Sequence, residues 1–326
     1  MKKKVLITQP WPTWYVSRLD EYIKQLEDAG CEVILDPKTT DLSEEEIIER
    51  MPGVYAHICG SDRWTAKAID SCDSLKIISR IGIGYDNVDV KHATEKGIAV
   101  TTCPGAGAEA VAEEAFALML AVGRQIVAGD KICHEGKWDK VIGPAMYRKT
   151  LGIIGLGRIG KKLVEIVRGF DMKIIAFDPV HDDEFAAKWN VTYVDSIDDL
   201  LKQADVISLH CMKNESTIGL IKEREFGLMK PRAILINCAR GGLVDEKALY
   251  NALKEKKIYG AGFDVLVHEP IQKDEPLLQL DNFVMMPHNA GTSFEGKDTV
   301  VGMAVQNVVD IINGKKPVGT LNPEVL

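Results

Sequence analysis

The chain has 326 residues, 46% of them apolar and 27% charged, the make-up of a globular protein with room for two domains, each with its own core. A net charge of −8 leaves no basic excess to neutralise phosphates and argues against a nucleic-acid binder; no apolar run approaches the roughly 18 residues of a membrane span. Seven scattered cysteines without a CxxC pair argue against a disulfide framework or a metal cluster, and fit reduced thiols in a cytoplasmic protein.

The basic start Met1–Lys4 precedes an apolar stretch, Val5–Thr8, too short for a signal-peptide core. Lys4–Thr8 reads as a first strand. Val16–Ala29, with Leu19, Ile23 and Leu26 at helical spacing, reads as a helix stopped by Gly30. Cys31–Leu35 is a second strand. Ser43 and Glu46 form a capping-box pattern at the start of the next helix. Val54–Cys59, Leu75–Ser79 and Ile98–Thr101 are further short apolar runs. Strand and helix alternate, which predicts a parallel sheet covered on both faces. Trp11, Trp14 and Tyr15 near the end of the first strand fit a cleft wall, a surface patch or a subunit contact equally. Two glycines two apart, Gly82 and Gly84, could present backbone N–H groups to an anion or form a plain turn.

Ala106–Ile126 is apolar on nearly all sides, so the spacing predicts a long helix buried from several directions. Residues 134–149 are polar and irregular. Thr150–Val167 then reads as strand, glycine turn, helix: TLGII, GLGRIG and KKLVEIV. Gly155 allows the tight turn, Gly157 lets a pyrophosphate approach the backbone, and Gly160 lets helix and strand pack closely. A second apolar run ends in Asp178, 23 positions after Gly155. That is near the roughly 20-residue offset of a carboxylate that binds the adenosine ribose, and its charge favours NAD over NADP. Strands follow at 205–209, 233–237, 259–265 and 282–286, and a closing helix at 296–312. Arg240, Glu269 and His288 each stand just after one of these strands, where doubly wound sheets place their ligands. An Arg suits a carboxylate, a His moves a proton near neutral pH, and a carboxylate beside the His supports its charged form. With a nicotinamide cofactor this set suffices to oxidise a 2-hydroxy acid. His268 competes with His288 for the proton-transfer role, but its place between Val267 and Glu269-Pro270 suggests a turn.

The sequence resembles the D-isomer specific 2-hydroxyacid dehydrogenases, and within them the phosphoglycerate dehydrogenase type. The resemblance is carried by GIGYDNVD at 82–89, PGAGAEAVAE at 104–113, KTLGIIGLGRIGK at 149–161, Asp178-Pro179, NCARGGLVDE at 237–246, GFDVLVHEP at 262–270 and PHNAGTS at 287–293. It implies an α/β fold of two Rossmann-like or flavodoxin-like domains with parallel sheets, the cofactor domain inserted into the substrate domain. Residues 1–100 plus 294–326 would form the substrate domain and 101–293 the NAD domain, with the cofactor in the cleft. It implies catalysis by Arg240, Glu269 and His288. Cofactor contacts would come from Gly155, Gly157, Arg158, Ile159, Gly160, Asp178, Thr217, Cys238, Ala239, Arg240, Asp264, His288 and Gly291. The backbone of Ile83 and Gly84, with Arg240, would hold the substrate carboxylate. No metal is implied, and a homodimer through the long helix and the arm around Trp138 is.

The sequence departs from the family at Met212 and Lys213, on an edge of the nucleotide pocket, and at Gly107-Ala108, where a side-chain amide is usual. Where the phosphoglycerate type often has Arg-Ser, this chain has Gly60-Ser61, with the nearby cation at Arg63. It ends at Leu326, without the regulatory domains that some phosphoglycerate dehydrogenases append. The expected activity is an NAD-dependent D-2-hydroxyacid dehydrogenase acting as a 2-keto acid reductase. A glyoxylate or hydroxypyruvate reductase is the nearer alternative. An NAD-sensing corepressor-like binding protein is the alternative of another class. Glu269 argues against formate dehydrogenase, which has Gln there.

Overall fold

The computed structural model describes residues 2–8, 16–38 and 40–326; Trp11, Trp14 and Tyr15 lie outside them. The chain divides into two compact units, Met1–Gly107 with Thr292–Leu326, and Ala108–Gly291. In the first, β1 (Lys3–Ile7), β2 (Cys31–Leu35), β3 (Val54–Cys59), β4 (Ile77–Arg80) and β5 (Ala99–Thr101) form a parallel sheet in the order β2-β1-β3-β4-β5. That is the flavodoxin-like order. Helices α1 (Leu19–Asp28), α2 (Glu44–Arg50), α3 (Ala66–Asp70) and α4 (Val90–Glu95) connect the strands. The helix expected from Val16 starts at Leu19, after Arg18, which offers no side-chain cap. The capping box forms as expected: the Glu46 N–H donates to Ser43 Oγ at 3.3 Å, and the Ser43 N–H to Glu46 Oε2 at 2.8 Å.

The second unit opens with α5 (Ala108–Gly123) and α6 (Ile126–His134). The continuous helix expected over 106–126 therefore ends at Gly123. Gln125 adopts φ 54°, a left-handed backbone that breaks the helix and restarts it in a new direction. The sheet is β6 (Thr150–Ile154), β7 (Lys173–Phe177), β8 (Val191–Tyr193), β9 (Val206–Leu209), β10 (Ile234–Asn237), β11 (Gly260–Phe263) and β12 (Phe283–Met285). It is parallel, in the order β12-β11-β10-β9-β6-β7-β8. The order reverses beside β6, as in a dinucleotide-binding fold. Helices α7 (Arg158–Val167), α8 (Asp183–Trp189), α9 (Ile197–Gln203), α10 (Glu223–Phe226) and α11 (Glu246–Lys254) link the strands. Every residue of β9, β10 and β11 is buried, and apart from Ser208 and Asn237 they carry no polar side chain, the signature of a sheet covered on both faces. Each fully buried Leu or Ile there contributes about 1.5–3 kcal/mol.

The chain then returns to the first unit as α12 (Phe294–Ile312). Ser79 Oγ donates to the Ala304 carbonyl at 2.8 Å. Buried Asn307 donates to Thr101 Oγ1 and the Thr102 carbonyl, both at 3.3 Å. Among the described residues no helix is long and apolar enough to cross a membrane, and no group of three or more His, Cys, Asp or Glu gathers as for a metal ion.

Candidate active site

The glycine turn joins β6 to α7. Gly155 has φ 96°, and a Cβ there would sit 2.6 Å from the Cys211 backbone nitrogen, so only glycine fits. A Cβ on Gly160 would sit 2.5 Å from the Gly155 carbonyl oxygen, which is how α7 packs so closely on the strand. Gly157 has nothing within 4 Å of where its Cβ would be. It leaves an open approach to the N-terminus of α7, where Arg158, Ile159 and Gly160 supply first-turn N–H groups. Asp178 follows β7 and reaches back to the turn. Its Oδ2 accepts from the Leu156 N–H and its Oδ1 from the Val180 N–H, both at 2.8 Å. A pocket of about 480 Å³ is lined by Leu156, Gly157, Lys161, Asp178 and residues 180–183. A glycine turn closed to a Cβ at Gly155 and Gly160 and open at Gly157, a helix N-terminus and a carboxylate fixed beside them are what a dinucleotide's pyrophosphate and adenosine ribose require, so the residues present fit NAD.

The proton-transfer candidates sit at the far end of the same sheet. His288 Nδ1 donates to Glu269 Oε2 at 2.6 Å, and the Leu266 N–H donates to Glu269 Oε1 at 3.0 Å. The bond to Glu269 raises the His288 pKa above its ordinary value, more than burial lowers it. Burial pushes Glu269 upward, but the His288 bond and charge outweigh it and leave the carboxyl below its ordinary range. Arg240 is close enough for its charge to depress both groups, so all three candidates meet in one place. The Arg240 loop is folded by Asn237, whose Nδ2 donates to the Arg240 carbonyl at 3.0 Å and whose Oδ1 accepts from the Ala239 N–H at 3.0 Å. His268 lies on the exposed 267–270 turn, where its charge acts on the Glu246 carboxylate.

His288 has φ 52°, a left-handed backbone uncommon for a side chain of this size. Asp264 holds it there. The Asp264 carbonyl accepts from the His288 N–H at 2.9 Å, and its carboxylate accepts from the Asn289 and Ala290 N–H groups at 2.5 and 3.0 Å. Asp264 is only 1% exposed, and burial raises its pKa. A role in shaping the His288–Gly291 turn is not legible in the sequence, because its partners are backbone groups 25 and 26 residues away. Cys238 is buried and Ala239 half-buried at the end of β10. The Thr217 hydroxyl donates to the Met212 carbonyl at 2.7 Å and accepts from the Asn214 N–H at 2.8 Å, closing a turn. Met212 is exposed, and Lys213 lies over Gly242.

In the first unit, Ile83 is 42% exposed on the loop after β4. Arg80, which the sequence reading passed over, shapes that loop. Its Nε and Nη2 both donate to the Gly84 carbonyl, at 3.1 and 2.9 Å. These charge-assisted bonds from a buried guanidinium tie the loop to the end of β4. At the end of β3, the Ser61 N–H donates to Asp41 Oδ1 at 2.6 Å. The loop that carries an Arg in the phosphoglycerate type is therefore held by a carboxylate.

A family model described as "D-isomer specific 2-hydroxyacid dehydrogenase, NAD binding domain" matches residues 116–290. A glyoxylate reductase of Korarchaeum cryptofilum is 38% identical over 333 residues, covering 100% of this chain and 98% of that protein. A D-3-phosphoglycerate dehydrogenase of Methanocaldococcus jannaschii is 39% identical over 322 residues, and the match spans 98% of this chain but 59% of that protein. Among solved structures, a D-lactate dehydrogenase from Aquifex aeolicus, complexed with NAD and lactic acid, superposes with a TM-score of 0.82 at 28% identity, covering 98% of this chain and 99% of the other.

Proposed function

The chain belongs to the D-isomer specific 2-hydroxyacid dehydrogenase family, NAD-dependent oxidoreductases acting on the CH–OH group of a 2-hydroxy acid, and from that premise we propose that it reduces a small, unphosphorylated 2-keto acid of the glyoxylate or hydroxypyruvate kind. The observation that carries the substrate class is the Asp41–Ser61 bond. That bond occupies the Ser61 N–H, so the loop offers a phosphate one backbone donor fewer, and the nearby Lys297 charge already acts on Asp41. The end-to-end match to a glyoxylate reductase supports the same choice.

When bound, the cofactor supplies the hydride to the carbonyl carbon. Arg240 anchors the substrate carboxylate and the carbonyl oxygen as negative charge develops on it. The N–H groups of the Ile83–Gly84 loop, which Arg80 shapes, are further donors for the carboxylate. His288, held through Nδ1 by Glu269, gives its Nε2 proton to the carbonyl oxygen and becomes neutral; Glu269 stabilises the imidazolium until then. The glycine turn holds the pyrophosphate and Asp178 the adenosine ribose. Asp264, just after β11, would hold the nicotinamide end. The unit of Met1–Gly107 with Thr292–Leu326 serves the substrate and that of Ala108–Gly291 the cofactor, in place of the boundaries at 100 and 294 expected from the sequence. We further infer a homodimer, supported by exposed apolar side chains on α6 and the arm that follows: Ile126, Val127, Trp138 at 90% and Ile142 at 89%. Seven cysteines, all present as free thiols, support a cytoplasmic location.

A panel of keto acids with NADH tests the substrate. Glyoxylate or hydroxypyruvate should exceed 3-phosphohydroxypyruvate in kcat/KM by at least about tenfold, equivalent to about 1.4 kcal/mol. The reverse preference would restore phosphoglycerate, and NADH binding without turnover on any keto acid would favour a sensing role. Asp178 has its own test. Asp178→Ser should weaken NADH and raise the kcat/KM ratio of NADPH to NADH by about tenfold or more, since a carboxylate opposing a 2′-phosphate is removed. A parent enzyme that already prefers NADPH would overturn this role for Asp178.

A further inference from the structure

Glu114, Leu118 and Val122 lie four residues apart and share one side of α5. That side packs on β11. A Cβ built on Gly260 would sit 2.8 Å from Val122 Cγ1, and one on Gly262 would sit 3.1 Å from Leu118 Cβ. So α5 runs antiparallel to β11, and each turn toward its N-terminus moves toward the C-terminal end of the strand. The next turn carries Glu114, and the strand there ends at Phe263, just before Asp264. The two carboxylates feel each other. After burial, the Asp264 charge is the largest cause raising the pKa of Glu114, and both charges act on the buried Cys238 thiol.

The two carboxylates are not equivalent. Asp264 is buried, and both its oxygens accept from backbone N–H groups. Glu114 is half-buried, and its carboxylate accepts no hydrogen bond from any described residue. Holding a carboxylate partly out of water without a donor or a cation costs free energy, and such perturbed groups gather at functional sites. A dinucleotide laid on the β6 turn, with its adenosine at β7, carries its other half across β9 and β10 to β11. Three strand spacings, about 14 Å, separate β6 from β11.

We propose that Glu114 is a specificity residue of the cofactor site: the accessible negative charge at the nicotinamide end, which favours the cationic oxidised ring over the neutral reduced one. The proposal rests on the placement of that end near Asp264 given under Proposed function. The oxidised and reduced cofactors share every other group, so one fixed charge changes the ratio of their affinities and little else.

The test is the dissociation constants of NAD+ and NADH, measured by titration calorimetry on the parent, Glu114→Gln, Glu114→Asp and Asp264→Asn proteins, with thermal unfolding to check folding. In Glu114→Gln the ratio Kd(NAD+)/Kd(NADH) should rise about three- to tenfold, the size of a charge–charge interaction weakened by nearby solvent. Glu114→Asp should restore most of it, which a merely structural role would not do. If Glu114→Gln leaves the ratio within about twofold of the parent while Asp264→Asn weakens both cofactors, the proposal is overturned and the placement stands. If neither variant changes either affinity, the placement is wrong and the proposal falls with it.

Discussion

Replacing His288 with alanine is expected to lower kcat for keto-acid reduction by about 10²- to 10⁴-fold, the range that a positioned acid contributes, while the dissociation constant of NADH stays within about threefold of the parent, under 1 kcal/mol. The imidazole is the group that Glu269 holds and charges, through the 2.6 Å bond to Nδ1. That bond leaves Nε2 as the nitrogen able to meet the carbonyl oxygen. The glycine turn and Asp178 lie at the other end of the sheet, so cofactor affinity should survive the loss. The backbone complicates a simple alanine result, because His288 sits at φ 52°, where alanine is strained. His288→Asn provides the control: asparagine tolerates a left-handed backbone but supplies no acid. Both variants should fail alike in steady-state turnover. If His288→Asn keeps kcat within about tenfold of the parent, well short of the loss expected for a missing acid, His288 is not the proton donor.

The parts of this site that rest on local chemistry are legible in the sequence. The Ser43–Glu46 box involves residues three apart, and the β6 turn places three glycines and a first-turn helix within six positions. Unbroken apolar runs mark the parallel strands, and the C-terminal ends of those strands mark Arg240, Glu269 and His288. What is not legible depends on distant neighbours. The break after α5 follows Gly123, but the left-handed turn itself falls on Gln125, a residue type that ordinarily continues a helix. The three-residue strand β8, at the edge of the sheet, is too short to show a period. Asp264 becomes the brace of the His288 turn only when β11 and β12 lie side by side. Arg80 reaches forward four residues to a carbonyl, which no side-chain pattern encodes. Glu114 looks like one of a few polar residues on a mostly apolar helix until Leu118 and Val122 are found against Gly260 and Gly262.

The second large effect belongs to Glu269→Gln, and its sign depends on pH. The carboxylate raises the His288 pKa, with Asp264 adding to it and burial and Arg240 opposing it. Reduction needs the imidazolium, so the parent's rate should hold at low pH and fall as pH rises through that elevated pKa. A neutral amide in place of the carboxylate leaves burial and Arg240 opposed by Asp264 alone, and the midpoint moves to lower pH. Near neutral pH the variant should then reduce keto acids about 10²-fold more slowly, through both a less populated acid and a less well oriented ring. Oxidation, which needs neutral imidazole, should persist to lower pH than in the parent. The same linkage enters folding. The elevated His288 pKa gives stability that is present below its unfolded pKa and lost as pH rises through the folded one. The lowered Glu269 pKa gives stability that is present above its unfolded pKa and lost as pH falls through the folded one. The pair therefore stabilises the fold chiefly between those limits, and solvent screens it, since the His288 and Glu269 side chains are 52% and 33% exposed. Thermal midpoints followed across pH should show a flatter profile in the variant. A reduction profile that keeps the parent's midpoint in Glu269→Gln would mean that Glu269 does not set the protonation of His288.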